Sequence, residues 1–135
     1  MSKPENWSDV RLWLRYSLED LEAAEALAGT KVNPRQVCFL AQQAAEKAVK
    51  AILVFCQIEF PKSHDLEALV NMIPEGWTVK SRDLDFSTLT EWAVEARYPG
   101  DWPEATHSDA QTALAIATQI LRVVTDDFSS RGLRL

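Results

Sequence analysis

The stretch CFLAQQAAEKAVKAIL, residues 38–53, decides the fold. Its alanine-rich and mostly apolar composition is typical of a helix that other parts of the protein surround. Polar or charged side chains nevertheless interrupt it at five positions: Gln42, Gln43, Glu46, Lys47 and Lys50. This polar strip is either a solvated face with a Glu–Lys pair or the lining of a groove or interface. Because buried amides must be hydrogen-bonded, the apolar surroundings favour the second interpretation, in which the strip orders a ligand or a partner helix.

Helical spacing recurs along the rest of the chain and predicts an all-α fold. We expect an antiparallel helical bundle of four long helices plus one short helix, because the connections are short. The expected helices cover residues 7–28, 34–57, 64–72, 86–98 and 107–128, with a loop over 74–83. Asn33 and Ser63 are expected to cap the second and third helices, and Thr106 with Asp109 forms a capping box before the last.

Length and composition indicate one globular domain. The 135 residues, 47% of them hydrophobic and 25% charged, suffice for a single core over about residues 7–128, with a frayed tail over 129–135. The net charge of −6 disfavours non-specific binding of DNA, yet residues 34–57 hold three basic residues and one acidic residue. A phosphate site is therefore expected on this second helix.

Neither a secretory leader nor a transmembrane segment is predicted. The start, MSKPENWSDV, has no apolar run, and AILVFCQI is far shorter than the roughly 20 residues that span a bilayer. We expect a cytoplasmic protein without membrane contact, in which Cys38 and Cys56 are buried thiols.

The sequence does not indicate a cofactor. Its four glycines are scattered rather than gathered in a phosphate-binding loop, and no Cys/His cluster has zinc spacing. His64 and His107 are the only histidines, and together with Asp65 and Asp109 they lack a fixed third ligand for a metal. We therefore expect neither a metal nor another cofactor.

A second candidate site lies in ARYPGDWPEATH, residues 96–107. Arg97 ends a predicted helix, where it either complements the helix dipole or projects into a cleft and binds a phosphate through two hydrogen bonds. In the second case, Lys47, Lys50 and Arg97 converge on one anion site. Tyr98 then stacks on a base, or alternatively packs as a lid on the core.

Four segments resemble a known family: DLEAAEAL (20–27), CFLAQQAAEKAVKAIL (38–53), PKSHDLEAL (61–69) and EARYP (95–99). In this order, and over about residues 10–125, the chain resembles the HEPN domain. The resemblance implies a bundle of four or five helices that is usually a homodimer. It also implies nucleotide binding, and in prokaryotes a small nucleotidyltransferase as the partner in a two-gene module of the toxin–antitoxin kind.

Several branches of this family are metal-independent ribonucleases in which a short spacer separates an arginine from a histidine. Arg97 matches the arginine of the family's RYP segment, but nine residues separate it from His107. His64 matches the SHDL position, where a structural and a chemical role both stay open.

The resemblance therefore favours a binding module for a nucleotide, an RNA phosphate or a nucleotidyltransferase. One alternative is a ribonuclease toxin that uses Arg97 and His107. The other is a dimeric interaction protein in which the polar strip only fixes the register of the two copies.

Overall fold

The computed structural model describes residues 6–93, 99–100 and 102–134. Over these ranges the chain forms six α-helices and no strand, which confirms the predicted all-α fold. The helices are α1 (Trp7–Leu27), α2 (Pro34–Phe55), α3 (Leu66–Asn71), α4 (Thr78–Ser81), α5 (Phe86–Thr90) and α6 (His107–Ser130). Among these described helices, none has both the length and the apolar character that crossing a membrane requires.

The three long helices form the core, and α2 packs against both α1 and α6. Small side chains let α1 and α2 approach closely: Ala24 and Ala44 are fully buried, and Ser17 Oγ donates a hydrogen bond to the carbonyl oxygen of Ala44 at 2.6 Å. α1 and α6 run antiparallel, since Arg11 near the start of α1 donates to the carbonyl oxygen of Arg134, beyond the end of α6, at 3.2 Å.

Side-chain caps set the starts of α2, α3, α5 and α6. Asn33 accepts a backbone N–H at the start of α2, and the predicted capping box of Thr106 and Asp109 opens α6. The third helix begins later than expected, because Asp65 rather than Ser63 caps it by accepting a backbone N–H at 3.2 Å. An aspartate at this position satisfies one of the N–H groups that a helix start leaves unpaired.

α2 ends two residues before the predicted position, in a Schellman turn. The N–H of Ile58 donates to the carbonyl oxygen of Leu53 at 2.9 Å, which reverses the chain. Gln57 takes the left-handed conformation that this turn requires, with φ of 58°.

The C-terminal residues pack against the core. α6 continues to Ser130, the N–H of Leu133 donates to the carbonyl oxygen of Phe128 at 3.0 Å, and Leu133 is only 2% exposed. The prediction of a frayed tail over 129–135 is therefore wrong for the described residues up to 134, because the turn after α6 returns Leu133 to the core.

The segment between α3 and α6 differs most from the prediction. Of the helix predicted over 86–98, the described part is the five-residue α5, and residues 94–98 lie outside the described ranges. α4 is an additional helix inside the predicted loop 74–83. Asp127 of α6 holds it there by accepting two backbone N–H groups of its first turn at 3.1 and 3.2 Å. The described chain thus has three long and three short helices in place of four long and one short.

Candidate functional site

The polar strip of α2 lies inside the protein. Gln42 is 0% exposed, Glu46 4% and Lys50 8%. These three residues recur every four positions and so occupy one stripe of the helix. Gln43 and Lys47 lie at its half-buried border.

The carboxylate of Glu46 is the centre of this stripe. Its Oε1 accepts a hydrogen bond from Gln42 Nε2 at 3.0 Å, and its Oε2 accepts one from Lys50 Nζ at 2.9 Å. His64, in the loop before α3, places its Nδ1 2.7 Å from Oε1. We call Gln42, Glu46, Lys50 and His64 the Glu46 cluster.

Two contacts fix His64 to α2. Besides the contact of Nδ1, the backbone oxygen of His64 accepts a hydrogen bond from Gln42 Nε2 at 3.3 Å. Gln43 extends the network, since its Nε2 donates to Gln42 Oε1 at 2.7 Å. The side chain of His64 is 31% exposed. Its imidazole therefore lies where the buried carboxylate meets the surface.

The cluster keeps Glu46 ionised. Burial alone raises the pKa of this carboxyl, because desolvation disfavours the charged form. Hydrogen bonds with Gln42, Lys50 and His64, together with the charge of Lys50, outweigh burial and hold the pKa of Glu46 below its ordinary value. The carboxylate at Nδ1 orients the imidazole of His64. When the imidazole is protonated, the arrangement presents a positive charge to an anion.

The two lysines of the predicted anion site pair with different carboxylates. Lys47 Nζ donates to Asp20 on α1, whereas Lys50 Nζ bonds to Glu46 and lies 5.5 Å from the centroid of the Phe60 ring. Lys47 thus ties α2 to α1, and Lys50 belongs to the Glu46 cluster. Convergence of both lysines with Arg97 on one anion stays a prediction.

The other predicted site residues lie apart from the described cluster or outside the described chain. Arg97 and Tyr98 fall within residues 94–98, outside the described ranges. His107 is exposed at the first position of α6, in a depression of about 350 Å³. Small or neutral side chains form its remaining lining: Ala28, Gly29, Ala110 and Gln111.

A metal centre does not form in the part of the chain that the structure describes. No group of three or more His, Cys, Asp or Glu side chains there is arranged to hold an ion. Cys38 is buried and Cys56 half-buried, neither of them in a disulfide, and burial raises the pKa of the Cys56 thiol.

Sequence reasoning missed the pairing of Glu46 with His64. The signal was present in part, since Gln42, Glu46 and Lys50 are spaced four residues apart, which places them on one stripe. The predicted anion site instead grouped Lys50 with Lys47 and Arg97. Nothing local to α2 identifies a histidine 18 residues further along as its partner.

Comparison with known proteins identifies the family of this chain. The model of the HEPN domain matches residues 10–127, a range that contains all of α2 and the whole Glu46 cluster. The chain belongs to the HEPN domain family. This confirms the resemblance found in the sequence. A relative from Methanocaldococcus jannaschii, named "Putative toxin MJ1304", is 32% identical to this HEPN protein over 132 residues, which cover 87% of the chain and 86% of the relative.

Solved structures share the HEPN fold of this chain. TT1696 from Thermus thermophilus superposes with a TM-score of 0.72 at 26% identity, over 87% of this chain and 97% of that one. ST0689, described as an archaeal HEPN homologue, superposes with a TM-score of 0.68 at 28% identity, over 93% of this chain and 98% of that one. The arrangement of α1, α2 and α6 is therefore that of a HEPN domain over nearly its whole length.

Proposed function

We propose that this HEPN protein is a toxin-like binding module that holds a phosphate group of RNA or of a nucleotide at the Glu46 cluster. The observation that carries the proposal is the buried carboxylate of Glu46, which holds Lys50 on one oxygen and His64 on the other. When His64 is protonated, two positive charges surround one negative charge, and one positive charge remains for an anion. Lys50 uses one of its three N–H donors on Glu46, so a phosphate oxygen can accept another.

Arg97 and Tyr98 supply the second part of the proposed site. Arg97 matches the arginine of the family's RYP segment, and a guanidinium binds phosphate through two parallel hydrogen bonds. Tyr98 follows it directly in the sequence and offers an aromatic face to a base. Lys47, which pairs with Asp20, adds positive charge at the border of the site.

A small nucleotidyltransferase is the protein partner that we propose. The relative named as a toxin supports the toxin-like part of this proposal. The HEPN resemblance supports the partner, because prokaryotic members of the family often form two-gene modules with such an enzyme. Co-expression with the product of a neighbouring nucleotidyltransferase gene should yield a complex that survives affinity purification.

The binding proposal is tested by calorimetric titration with a nucleoside triphosphate and, separately, with a short single-stranded RNA. Each charge-assisted contact to phosphate contributes roughly 1.5–3 kcal/mol, so Arg97→Ala should weaken binding at least about tenfold. His64→Asn should do the same, because its amide can still donate to Glu46 but carries no positive charge. Arg35→Ala, which removes an exposed arginine at the start of α2, is the matched control and should leave the affinity unchanged.

Two results would contradict the binding site. One is an unchanged affinity in both Arg97→Ala and His64→Asn, with each variant folded by circular dichroism. The other is an equal loss of affinity in Arg35→Ala, which would indicate general electrostatic attraction rather than a site.

A ribonuclease is the second candidate function, and the toxin name of the relative favours it. The described surroundings of His107 favour binding without cleavage, because its depression has no second ionisable side chain in its lining. RNA cleavage needs a base, an acid and a cation close to one phosphate. We expect purified protein to leave a mixed RNA pool intact in the presence of a chelator. Cleavage that disappears in both Arg97→Ala and His107→Ala would establish the ribonuclease instead.

A further inference from the structure

A groove runs along the surface between α1 and α6. Its volume is about 520 Å³, which is within the range of pockets that bind small molecules. Its floor is apolar, since Leu14, Leu21 and Leu121 line it and each is at most 6% exposed. None of the residues that line the groove belongs to the Glu46 cluster. The groove is therefore separate from the site proposed for phosphate.

Leu18 lies at the edge of this floor and leaves apolar surface in contact with water. It is 49% exposed, the largest value among the large apolar side chains of the described residues. A hydrocarbon group that covered Leu18 and the floor would remove both from water, which favours binding. On α1 the lining extends from Arg11 to Leu21, or about 15 Å along the helix axis. The apolar surface is therefore elongated, as an extended chain requires.

Every ionisable side chain that lines the groove is an arginine: Arg11, Arg15 and Arg122. No carboxylate lines it, although the whole chain has a net charge of −6. Among the described residues, Arg11 and Arg122 form no ion pair with an acidic side chain. Arg15 has only a contact of 3.9 Å with Glu19, and an exposed pair of this kind contributes little. The three guanidinium groups can therefore serve an anion that enters the groove.

The arginines lie toward one end of the groove. On α1, Arg11 and Arg15 precede the part of the floor that Leu21 forms. Because α6 runs antiparallel to α1, Arg122, which follows Thr118 in the sequence, lies toward the Arg11 end. The groove thus has a cationic end and an apolar end.

We propose that the groove binds a fatty acid, with its carboxylate on the arginines and its hydrocarbon chain along the leucine floor. A guanidinium holds a carboxylate through two parallel hydrogen bonds. The chain covers Leu18 and extends toward Leu21. A single negative head on a long apolar chain matches the confinement of positive charge to one end, whereas an acidic helix of a partner protein would match arginines spread along the whole groove.

Calorimetric titration with dodecanoate, below its micelle concentration, tests the proposal. The folded protein should bind one molecule per chain. Octanoate, whose chain is shorter, should bind at least about tenfold more weakly, because each buried CH₂ group strengthens binding by up to about fourfold. Dodecyltrimethylammonium has the same length of chain with a positive head, so the arginines should prevent it from binding.

A pair of substitutions on α1 tests the apolar part of the groove. Leu18→Glu places a negative charge at the edge of the floor and should weaken dodecanoate binding at least about tenfold. Leu12→Glu is the matched control, because Leu12 lies on the same helix, is 39% exposed and does not line the groove. This control should leave the affinity unchanged.

A second pair tests the cationic end. Arg15→Gln/Arg122→Gln removes two exposed guanidinium groups and should weaken binding at least about tenfold, because each charge-assisted hydrogen bond to the carboxylate is lost. Lys31→Gln/Arg35→Gln changes the net charge by the same amount at exposed positions outside the groove, and should bind dodecanoate as the wild type does.

Four results would overturn the proposal, provided that circular dichroism shows each protein folded. One is a wild type that does not bind dodecanoate, which would leave the groove to a protein segment. Another is an unchanged affinity in both Leu18→Glu and Arg15→Gln/Arg122→Gln. A third is binding of dodecyltrimethylammonium as tight as that of dodecanoate. The fourth is loss of dodecanoate binding in His64→Asn, which would place the ligand at the Glu46 cluster; this variant should keep the full affinity.

Discussion

Glu46 is the residue on which the candidate site depends, because its single carboxylate joins Gln42, Lys50 and His64. Glu46→Gln keeps the shape of the side chain and removes the charge. It leaves Lys50, which is 8% exposed, without an opposite charge on its partner. We expect the free energy of unfolding at pH 7 to fall by about 3–5 kcal/mol, as measured by urea denaturation. Glu104→Gln, in an exposed loop, is the control and should change the free energy of unfolding by less than about 0.5 kcal/mol.

The difference in unfolding free energy between the wild type and Glu46→Gln should depend on pH in a definite direction. The folded protein holds the pKa of Glu46 below its ordinary value of 4.5. The ionised carboxylate therefore stabilises the fold fully above that pH, and this contribution is lost as the pH falls through the folded pKa. As the pH falls below 4.5, the unfolded chain takes up the proton of Glu46 before the folded protein does, so the difference in unfolding free energy should shrink relative to its value at about pH 7. A difference that stays constant over this range would contradict the role of the ionised carboxylate.

The polar strip was predictable at the residue scale, but its partners were not. Spacing in the sequence shows that polar side chains interrupt an apolar helix, and burial then requires that they be hydrogen-bonded. The actual partners are His64 and Asp20, which lie 18 and 27 residues from their contacts on α2. Those pairings depend on how the loop before α3 and the helix α1 fold back on α2, and no local pattern encodes that.

At the scale of the element, the end of α2 contains a residue whose replacement by glycine should stabilise the protein. Gln57 is exposed and has φ of 58°, a conformation in which a side chain clashes with the backbone. Gln57→Gly removes that strain, and we expect the free energy of unfolding to rise by about 0.5 kcal/mol after the greater entropy of glycine in the unfolded chain is subtracted. Thermal denaturation of the two proteins side by side measures the change.

The same substitution in the middle of a helix supplies the control. Gln119 is exposed within α6, where glycine is less favourable than other residues by about 1 kcal/mol, so Gln119→Gly should lower the free energy of unfolding. Opposite signs at the two positions would establish that the backbone conformation, rather than loss of the side chain, decides the effect. Destabilisation at both positions would contradict the strain at Gln57.

The long elements were predictable because their own residues specify them, whereas the short ones depend on distant contacts. α1, α2 and α6 carry helical spacing over more than twenty residues each, with caps at Asn33 and Thr106. α4 has four residues, too few to be stable alone, and it forms because Asp127, 48 residues from Val79, accepts its N–H groups. A local pattern over 74–83 therefore predicts a loop.

At the scale of the whole molecule, stability should be unevenly distributed. α2 packs against α1, α3, α5 and α6, and nearly all of its residues from 44 to 53 are buried. We expect amide hydrogens in this part of α2 to exchange only through global unfolding, with a denaturant dependence equal to the equilibrium value. Amides of α4 and α5 should exchange faster, through local opening that depends weakly on denaturant.

Two neighbouring aspartates of α6 allow the local opening of α4 to be tested. Asp127 is 5% exposed and accepts the N–H groups of Thr78 and Val79, whereas Asp126 is exposed. Asp127→Ala should accelerate exchange in α4 by more than the loss of global stability accounts for, because two N–H groups lose their acceptor. Asp126→Ala should leave the pattern unchanged. If α4 and α2 instead exchanged with one common free energy in all three proteins, the molecule would unfold as a single cooperative unit, and α4 would be as firmly held as the core.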